Sequence, residues 1–590
     1  MSKKIALNDL PFDHQLDYVA YDLQPLLSSP KGKALKIKGK TLGSDQALFS
    51  ISSTKDQDLY IELKRLDQDL DFKVYGEPEY NETLARKGQV DLPFLTGSRL
   101  GVEPENGFFQ IKAGKKYILK ISNQTQPVGE KVNHFVLDLG NFKSGKNSNI
   151  MLPDDPDFNK QWYLFNGGFQ SVDHAMKSIL NFDIAAPEAW RVRASAKGVP
   201  VAVIDSGIDY QHPDLKANLW TNKGEIPGNN EDDDENGYKD DVHGWDWGKG
   251  ADTGLDFSGH GTHVAGTIGA QGNNGIGVSG IAWQAELMNL KYDSLDSIND
   301  AIRYAVDHGA KIINMSLGYN VKMKPGDYKR QSFQKNLRQT FKRARKAFQY
   351  AEENDVLMVI AAGNEADRWG GDLFYWDQVG NNDLFFAGWS SLGREFNNVI
   401  VAGSIAANGR MTSYSNYGKS VDIAAPGGSD EVVYKRDAVT GNIIDSETMS
   451  LKIYSTKPYY LGSYTGRKGK ELRGVWVDRR SGDLVTSPPK DNVLLDLISL
   501  KDMSVLKQKV LAKDASLSGY QGMVGTSMAT PVVSGSAALI WAENPELSAV
   551  EVKEILLDHA IENPLIEPFV NDGRQLNLAS ALAGVINHSS

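Results

Sequence analysis

Four stretches of this chain are continuously apolar and stop abruptly at glycine or polar residues. They are GVPVAVIDSG (Gly198 to Gly207), AKIINMSLG (Ala310 to Gly318), VLMVIAAGN (Val356 to Asn364) and NNVIVAGSI (Asn397 to Ile405). A strand with one wet face alternates apolar and polar residues, whereas an unbroken run implies burial on both faces, as in a parallel sheet covered by helices. The segments between the runs supply such helices. SINDAIRYAVDHG begins at Ser297, and FQKNLRQTFKRARKAFQYAEEN sets Phe333, Leu337, Phe341 and Phe348 near one helical face. The basic residues of the second helix are read as its solvated face. The result is an α/β layered domain of about 430 residues, whose polar groups should gather at the carboxyl ends of the strands.

The first 150 residues have a different texture. Short runs of period two recur at Leu59 to Leu63, Phe72 to Val74, Phe108 to Ile111, Tyr117 to Ile121 and His134 to Leu139, separated by turn residues. Each sheet so formed must bury one face, which predicts an all-β sandwich or jelly-roll over 1–150. A polar segment, Phe142 to Asp157, separates it from an α/β domain spanning 156–590. The charged, turn-rich region Gly427 to Gly525 interrupts that domain, with VLLDLI (Val493 to Ile498) as a short apolar exception. It reads as an insertion of strands and loops at 428–518.

Charge and cysteine content close off several functions. Lys plus Arg number 64 against 75 Asp plus Glu, a net charge of -11, so nothing argues for a nucleic-acid partner. The chain has no cysteine, which removes disulfides, thiolate zinc sites, iron–sulfur clusters and cysteine nucleophiles. No membrane segment is visible, and MSKKIALNDLPFDHQ lacks the apolar run of a signal peptide.

Three segments carry the chemistry. AVIDSGID ends a buried run and presents Asp205; SGHGTHVAGTIGA presents His260 at a helix start; GTSMATPVVSGSAALIWA presents Ser527 before an apolar helix. A serine hydroxyl attacks only when a base takes its proton, histidine is the natural base near neutral pH, and a buried carboxylate fixes the imidazole tautomer. Taken singly, these residues would read as a turn acid, a core histidine and a helix cap. His263, three residues after His260, is read as structural, since Gly261 stands where a HExxH zinc motif needs glutamate. A separate run, EDDDENGYKDD (Glu231 to Asp241), packs seven acids into eleven residues. Asp232, Asp234 and Asn236 take alternate positions before Gly237, like the first half of an EF-hand loop. His243 stands where that loop would end in glutamate. Such a run is either a solvated acidic loop or a calcium site on Asp232, Asp234, Asn236, Tyr238, Asp240 and Asp241.

Together, VIDSGID, GHGTHVAG and GTSMATP resemble the three signatures of the subtilisin-like serine proteases, over roughly Pro156 to Ile586. The resemblance implies a layered α/β fold with a central, mostly parallel sheet and a calcium-stabilised endopeptidase that forms an acyl-enzyme. A processing protease of restricted specificity and an inactive protein-binding scaffold are the alternatives. It further implies that the Asn364 amide and the Ser527 N–H hold the oxyanion. Protein or peptide substrates would lie extended along Ser316, Leu317, Gly318 and Ala361, Ala362, Gly363, with a propeptide or protein inhibitor as a further partner. A second calcium site would use Gln161, Asp214, Asn274 and the carbonyls of Ile276 and Val278. Most such enzymes act outside the cytosol, so extracellular or periplasmic placement is expected.

Overall fold

A computed structural model describes residues 151–166, 182–318, 331–366, 395–418, 420–436, 443–465, 471–481, 484–485, 494–500, 505–511 and 518–588, and ten backbone strands between Lys3 and Asn141. The chain divides into two compact units: Met1–Ser148 with Phe165–Phe182, and Asn149–Leu164 with Asp183–Ser590.

In the first unit the period-two runs form two five-stranded sheets. One holds Leu35–Thr41, Asn133–Asn141, Gln57–Lys64 and Glu105–Ile111 in antiparallel register, with Lys3–Ala6 parallel at its edge. The other centres on Lys116–Asn123, antiparallel to both Gln46–Ser52 and Leu70–Gly76.

The second unit is built on a nine-stranded, mostly parallel sheet flanked by helices. Its strands in chain order are β1 (Ser195–Asp205), β2 (Gly244–Asp246), β3 (Gln284–Lys291), β4 (Ile312–Met315), β5 (Leu357–Ala361), β6 (Val399–Ile405) and β7 (Ile423–Pro426). The spatial order is β2-β3-β1-β4-β5-β6-β7, all parallel, ending in the short strands Arg574–Gln575 and Ile561–Glu562, the last antiparallel. All four continuous apolar runs became central strands, and every residue of β4, β5 and β6 is buried. The order reverses at β1: the chain builds β2 and β3 on one side, then returns to place β4 on the other. A crevice opens beyond the strand ends at such a reversal, and Asp205 is the last residue of β1.

Four helices position the site: α1 (His260–Gly269), α2 (Leu295–Asp307), α3 (Gln331–Glu353) and α4 (Thr526–Glu543). Helix α2 starts at Ser294, whose hydroxyl accepts from the Ser297 N–H in a capping box. It buries Ile298 and Ile302 against Met288, Leu290 and Ile313 of the sheet, and Phe348 of α3 joins the same core. The side chains of Phe333, Leu337 and Phe341 lie outside the described residues. Helix α4 is buried almost all round and packs on β1, β4, β5, β6 and on α1. A helix sunk into a core this way has little freedom to shift, so it is a firm mount for its first turn.

The 428–518 region is rich in strands. Ser429–Arg436 pairs with Ile443–Leu451, and Leu461–Thr465, Glu471–Asp478, Leu494–Ser499 and Val505–Leu511 make a four-stranded sheet. Between these, Ile453–Thr456 pairs antiparallel with Tyr520–Met523, with Thr456 opposite Tyr520. Among the described residues no helix is long and apolar enough to cross a membrane.

Candidate active site

The end of β1 and the start of α1 meet at glycines. A β-carbon on Gly261 would lie 2.2 Å from the Gly207 carbonyl oxygen and 3.1 Å from the Asp205 carboxylate, so only glycine lets the helix start abut the strand end. Gly259, just before His260, has φ +79°, a conformation that favours glycine. This contact brings His260 Nδ1 to 2.8 Å from Asp205 Oδ1. Asp205 is 3% exposed, and the same oxygen accepts from the Ser206 N–H at 2.7 Å. A buried carboxylate there fixes the tautomer with hydrogen on Nδ1 and leaves Nε2 as the base. Burial works against a charged imidazole, but the Asp205 charge and hydrogen bond, helped by Asp256, outweigh it and raise the His260 pKa above its ordinary value.

Ser527 is the second residue of α4, half-buried on a turn whose neighbours Thr526 and Met528 are buried. The residue before the helix, Gly525, has φ +149°. A β-carbon there would sit 3.4 Å from Asn364 Nδ2 and 3.6 Å from the Ser527 backbone nitrogen. Two N–H donors thus flank a space that a side chain at 525 would fill. The orientation of Asn364 is set by Thr526, whose N–H (2.8 Å) and hydroxyl (2.9 Å) both donate to its Oδ1. That leaves Nδ2 as the donor that borders the space. Asn416 braces the same segment: its Nδ2 donates to the Ala362 carbonyl at 3.0 Å, its N–H to the Gly363 carbonyl at 2.9 Å, and its Oδ1 accepts from the Glu365 N–H at 3.1 Å.

Residues 196–583 match the sequence profile of the subtilase family, peptidase S8. The chain belongs to this family. It is 34% identical over 251 residues to the major intracellular serine protease of Bacillus subtilis (strain 168), covering 41% of this chain and 62% of that one. Thermitase from Thermoactinomyces vulgaris is 29% identical over 250 residues, covering 41% and 68%. A solved protease structure from Pseudoalteromonas arctica PAMC 21717 aligns over 73% of this chain and 99% of its own with 24% identity and a TM-score of 0.42. The chain spans 62% and 46% of the lengths of the first two curated relatives it matches.

Of the residues expected along the substrate path in this subtilase, Ala361 ends β5 and Ala362 and Gly363 follow it, Gly363 with φ +102°. Ser316 is buried and Leu317 packs into the core cluster at 7% exposure. Gly318 is the last described residue after β4.

His263 is fully buried, with Nε2 2.9 Å from the Ile453 carbonyl and 3.2 Å from that of Gln521. Burial, and then the neighbouring His260, push its pKa down to about 3. It is a neutral packing residue that donates to the strand pair Ile453–Thr456 and Tyr520–Met523.

The acidic loop gathers three carboxylates. Glu225, Asp232 and Asp234 each offer an oxygen within 4.8 Å of the others. Hard oxygen ligands this close suit a divalent cation such as calcium and repel without one. All three also accept hydrogen bonds: Asp232 from the Asn236 and Gly237 N–H groups, Asp234 from Asn222 Nδ2 and the Asn236 N–H, and Glu225 from the Asp233, Asp234 and Asp240 N–H groups. The oxygens of Asn236, Asp240 and Asp241 likewise have partners. Asn236 Oδ1 accepts from the Tyr238 N–H, and Asp240 accepts from the Gly228 and Asn230 N–H groups. Asp241 is fully buried and accepts from Tyr304, Asn222 and Asn236. The Tyr238 ring packs edge-on against Trp245 and Tyr304. Glu225 was not singled out in the sequence, because nothing in spacing links it to an acid run that begins at Glu231.

The residues expected to form a second cation site are joined by hydrogen bonds. Gln161 Oε1 accepts from the Ser279 N–H at 2.8 Å. Asp214 accepts from Asn274 Nδ2 at 2.8 Å, the Val278 N–H at 3.1 Å and the Tyr520 hydroxyl at 2.9 Å. Asn274 Oδ1 accepts from the Ile276 N–H at 2.7 Å. Here the loop turns the Val278 N–H toward the Asp214 carboxylate, while the backbone N–H of Ser279 takes up Gln161 Oε1. Asp155, unnoticed in the sequence, joins it by accepting from the Asn273 N–H at 2.7 Å.

Proposed function

We propose that this subtilase is a serine endopeptidase acting through Ser527, His260 and Asp205. The observation that carries the reading is the 2.8 Å contact of His260 Nδ1 with a nearly unexposed Asp205. In the proposed cycle His260 Nε2 takes the Ser527 hydroxyl proton as Oγ bonds to a peptide carbonyl carbon. Asp205 stabilises the imidazolium so formed. The carbonyl oxygen becomes an oxyanion and accepts from Asn364 Nδ2 and the Ser527 N–H, donors already held in place by Thr526 and Gly525. The imidazolium then gives its proton to the leaving amine as the C–N bond breaks. Water gives a proton to the same nitrogen as its oxygen bonds to the acyl carbon, and the imidazolium then protonates Ser527 Oγ as the ester C–O bond breaks. Substrates would be protein segments laid extended along 316–318 and 361–363.

Glu225, Asp232 and Asp234 would hold one calcium ion, which when bound neutralises their mutual repulsion and cross-links the loop. The two five-stranded sheets of the first unit are read as a β-sandwich accessory domain over 1–150, supported by the alternation of its strands.

The test compares casein hydrolysis and fluorophosphonate labelling in the full chain and in Ser527→Ala. Activity and labelling in the parent, and neither in the variant, are expected. Equal hydrolysis by both refutes the nucleophile. A folded parent that neither labels nor cleaves marks an inactive scaffold.

A further inference from the structure

We propose that Asp256 is a positioning residue for this reaction: its buried carboxylate ties the turn bearing His260 to the strand end bearing Asp205, and so sets the hydrogen bond between them. The inference rests on the hydrolytic role proposed above.

Asp256 lies four residues before His260 and is fully buried. Both its oxygens are saturated with donors. Oδ1 accepts from the Ser206 hydroxyl at 2.9 Å, the Ser258 N–H at 3.0 Å and the Gly259 N–H at 2.8 Å. Oδ2 accepts from the Thr262 N–H at 2.9 Å and hydroxyl at 2.8 Å. The first N–H groups of a helix lack intrahelical partners, and Gly259 has no side chain with which to cap them. Asp256 takes that role from outside the helix. Five donors on one carboxylate are many for a plain cap, and one of them comes from the other side of the site.

That donor is Ser206, the residue after Asp205. Its hydroxyl also accepts from the Gly261 N–H at 3.0 Å, and its own N–H donates to the Asp205 oxygen that holds His260. The links close a ring: Asp256 to Ser206, Ser206 to Asp205, Asp205 to His260, and back along the turn to Asp256. Distances within such a ring cannot change one at a time. The insertion supports it from outside, for the Tyr460 hydroxyl accepts from the Asp256 N–H at 2.9 Å and donates to the Asp256 carbonyl at 3.2 Å.

The charge matters as well as the shape. The titratable groups around this turn are Asp205 and Asp209 from the strand end, His260 and His263 from α1, and Tyr460 from the insertion. Lys291 bonds the Leu255 carbonyl but is paired with Asp246, and Tyr292 faces Asp205. Burial raises the Asp256 pKa against the pull of the Thr262 and Gly259 donors, and no described cation forms an ion pair with it; in its ionised form its charge adds to that of Asp205 on the imidazolium.

Two variants of the full chain separate positioning from plain structural support. Asp256→Asn keeps the volume but loses the charge and turns an amide toward the N–H donors. Ser206→Ala keeps the charge and cuts the link. Folded, active molecules are counted by fluorophosphonate titration, and kcat, KM and the pH profile of kcat/KM are measured per active site. In Asp256→Asn, kcat should fall by about 10- to 100-fold with KM little changed. Its acid limb should also move to lower pH, by about half a unit or more. In Ser206→Ala, kcat should fall with the acid limb unmoved. A merely structural role lowers the melting temperature and the number of active sites but leaves kcat and the limb of each surviving site at parental values; that result overturns the proposal. If Asp256→Asn does not fold, unchanged kcat in folded Ser206→Ala does the same. Serine-independent hydrolysis in the Ser527→Ala control would instead strike the proposed function.

Discussion

Replacing Asp209 with asparagine should flatten the dependence of stability on pH. Asp209 is 1% exposed; one carboxylate oxygen accepts from the Gln211 N–H at 3.1 Å, and the other has no partner among the described residues. Burial, and then repulsion from Asp256, push its pKa up to about 7 against the pull of backbone N–H groups. An unfolded chain ionises the same group near 3.9. Between those values the folded state holds a proton that the unfolded state has released, so raising the pH through this window favours unfolding. A gap of about 3 at about 1.4 kcal/mol for each amounts to about 4 kcal/mol, complete once the pH passes 7. Asparagine removes that loss and substitutes a pH-independent cost of about 1–3 kcal/mol for a poorly partnered amide. The assay is urea unfolding between pH 4 and 8 in a Ser527→Ala background, which prevents self-digestion. Asp155 and Asp214, whose burial also raises their pKa values to about 7 and about 6, titrate in both proteins and cancel in the difference. The stability difference should swing toward the variant by up to about 4 kcal/mol across the window. Parallel pH curves would refute the reasoning.

Two further outcomes are expected. Asn364→Ala should lower kcat by about 10²- to 10³-fold with little change in KM, since the lost donor acts on charge present only in the transition state; a rise in KM alone would count against it. Chelation should lower the melting temperature of the Ser527→Ala protein, calcium at 100 times its dissociation constant being worth about 2.7 kcal/mol, and Glu225→Gln should abolish that response. A calcium shift that survives Glu225→Gln would remove this residue from the site.

The legible and illegible parts of the chain divide along physical lines. Runs buried on both faces announce themselves, so β1, β4, β5 and β6 could be read directly. β3, with the polar Asn289 buried among apolar neighbours, and the three-residue β2 could not. Asp205 and His260 stood out because rigid local motifs surround them. Thr526, Asn416, Asp256 and Glu225 did not, because their contacts are with partners remote in sequence or are hydrogen bonds that follow no period. The hydrogen bonds of the Gln161 and Asp214 segment were illegible too, because whether a loop turns carbonyls or N–H groups inward depends on backbone rotation that composition does not encode.

The pairing of Thr456 with Tyr520 has a consequence for how such a chain can change. The backbone leaves the unit built on the nine-stranded sheet and re-enters it on neighbouring strands, about 5 Å apart. Beyond Tyr460, whose hydroxyl holds the Asp256 backbone, whatever hangs from that neck can grow, shrink or be exchanged without rerouting the segment that delivers Ser527. The excursion is a graft point: new recognition surfaces can be tried there while the machinery beneath stays in register.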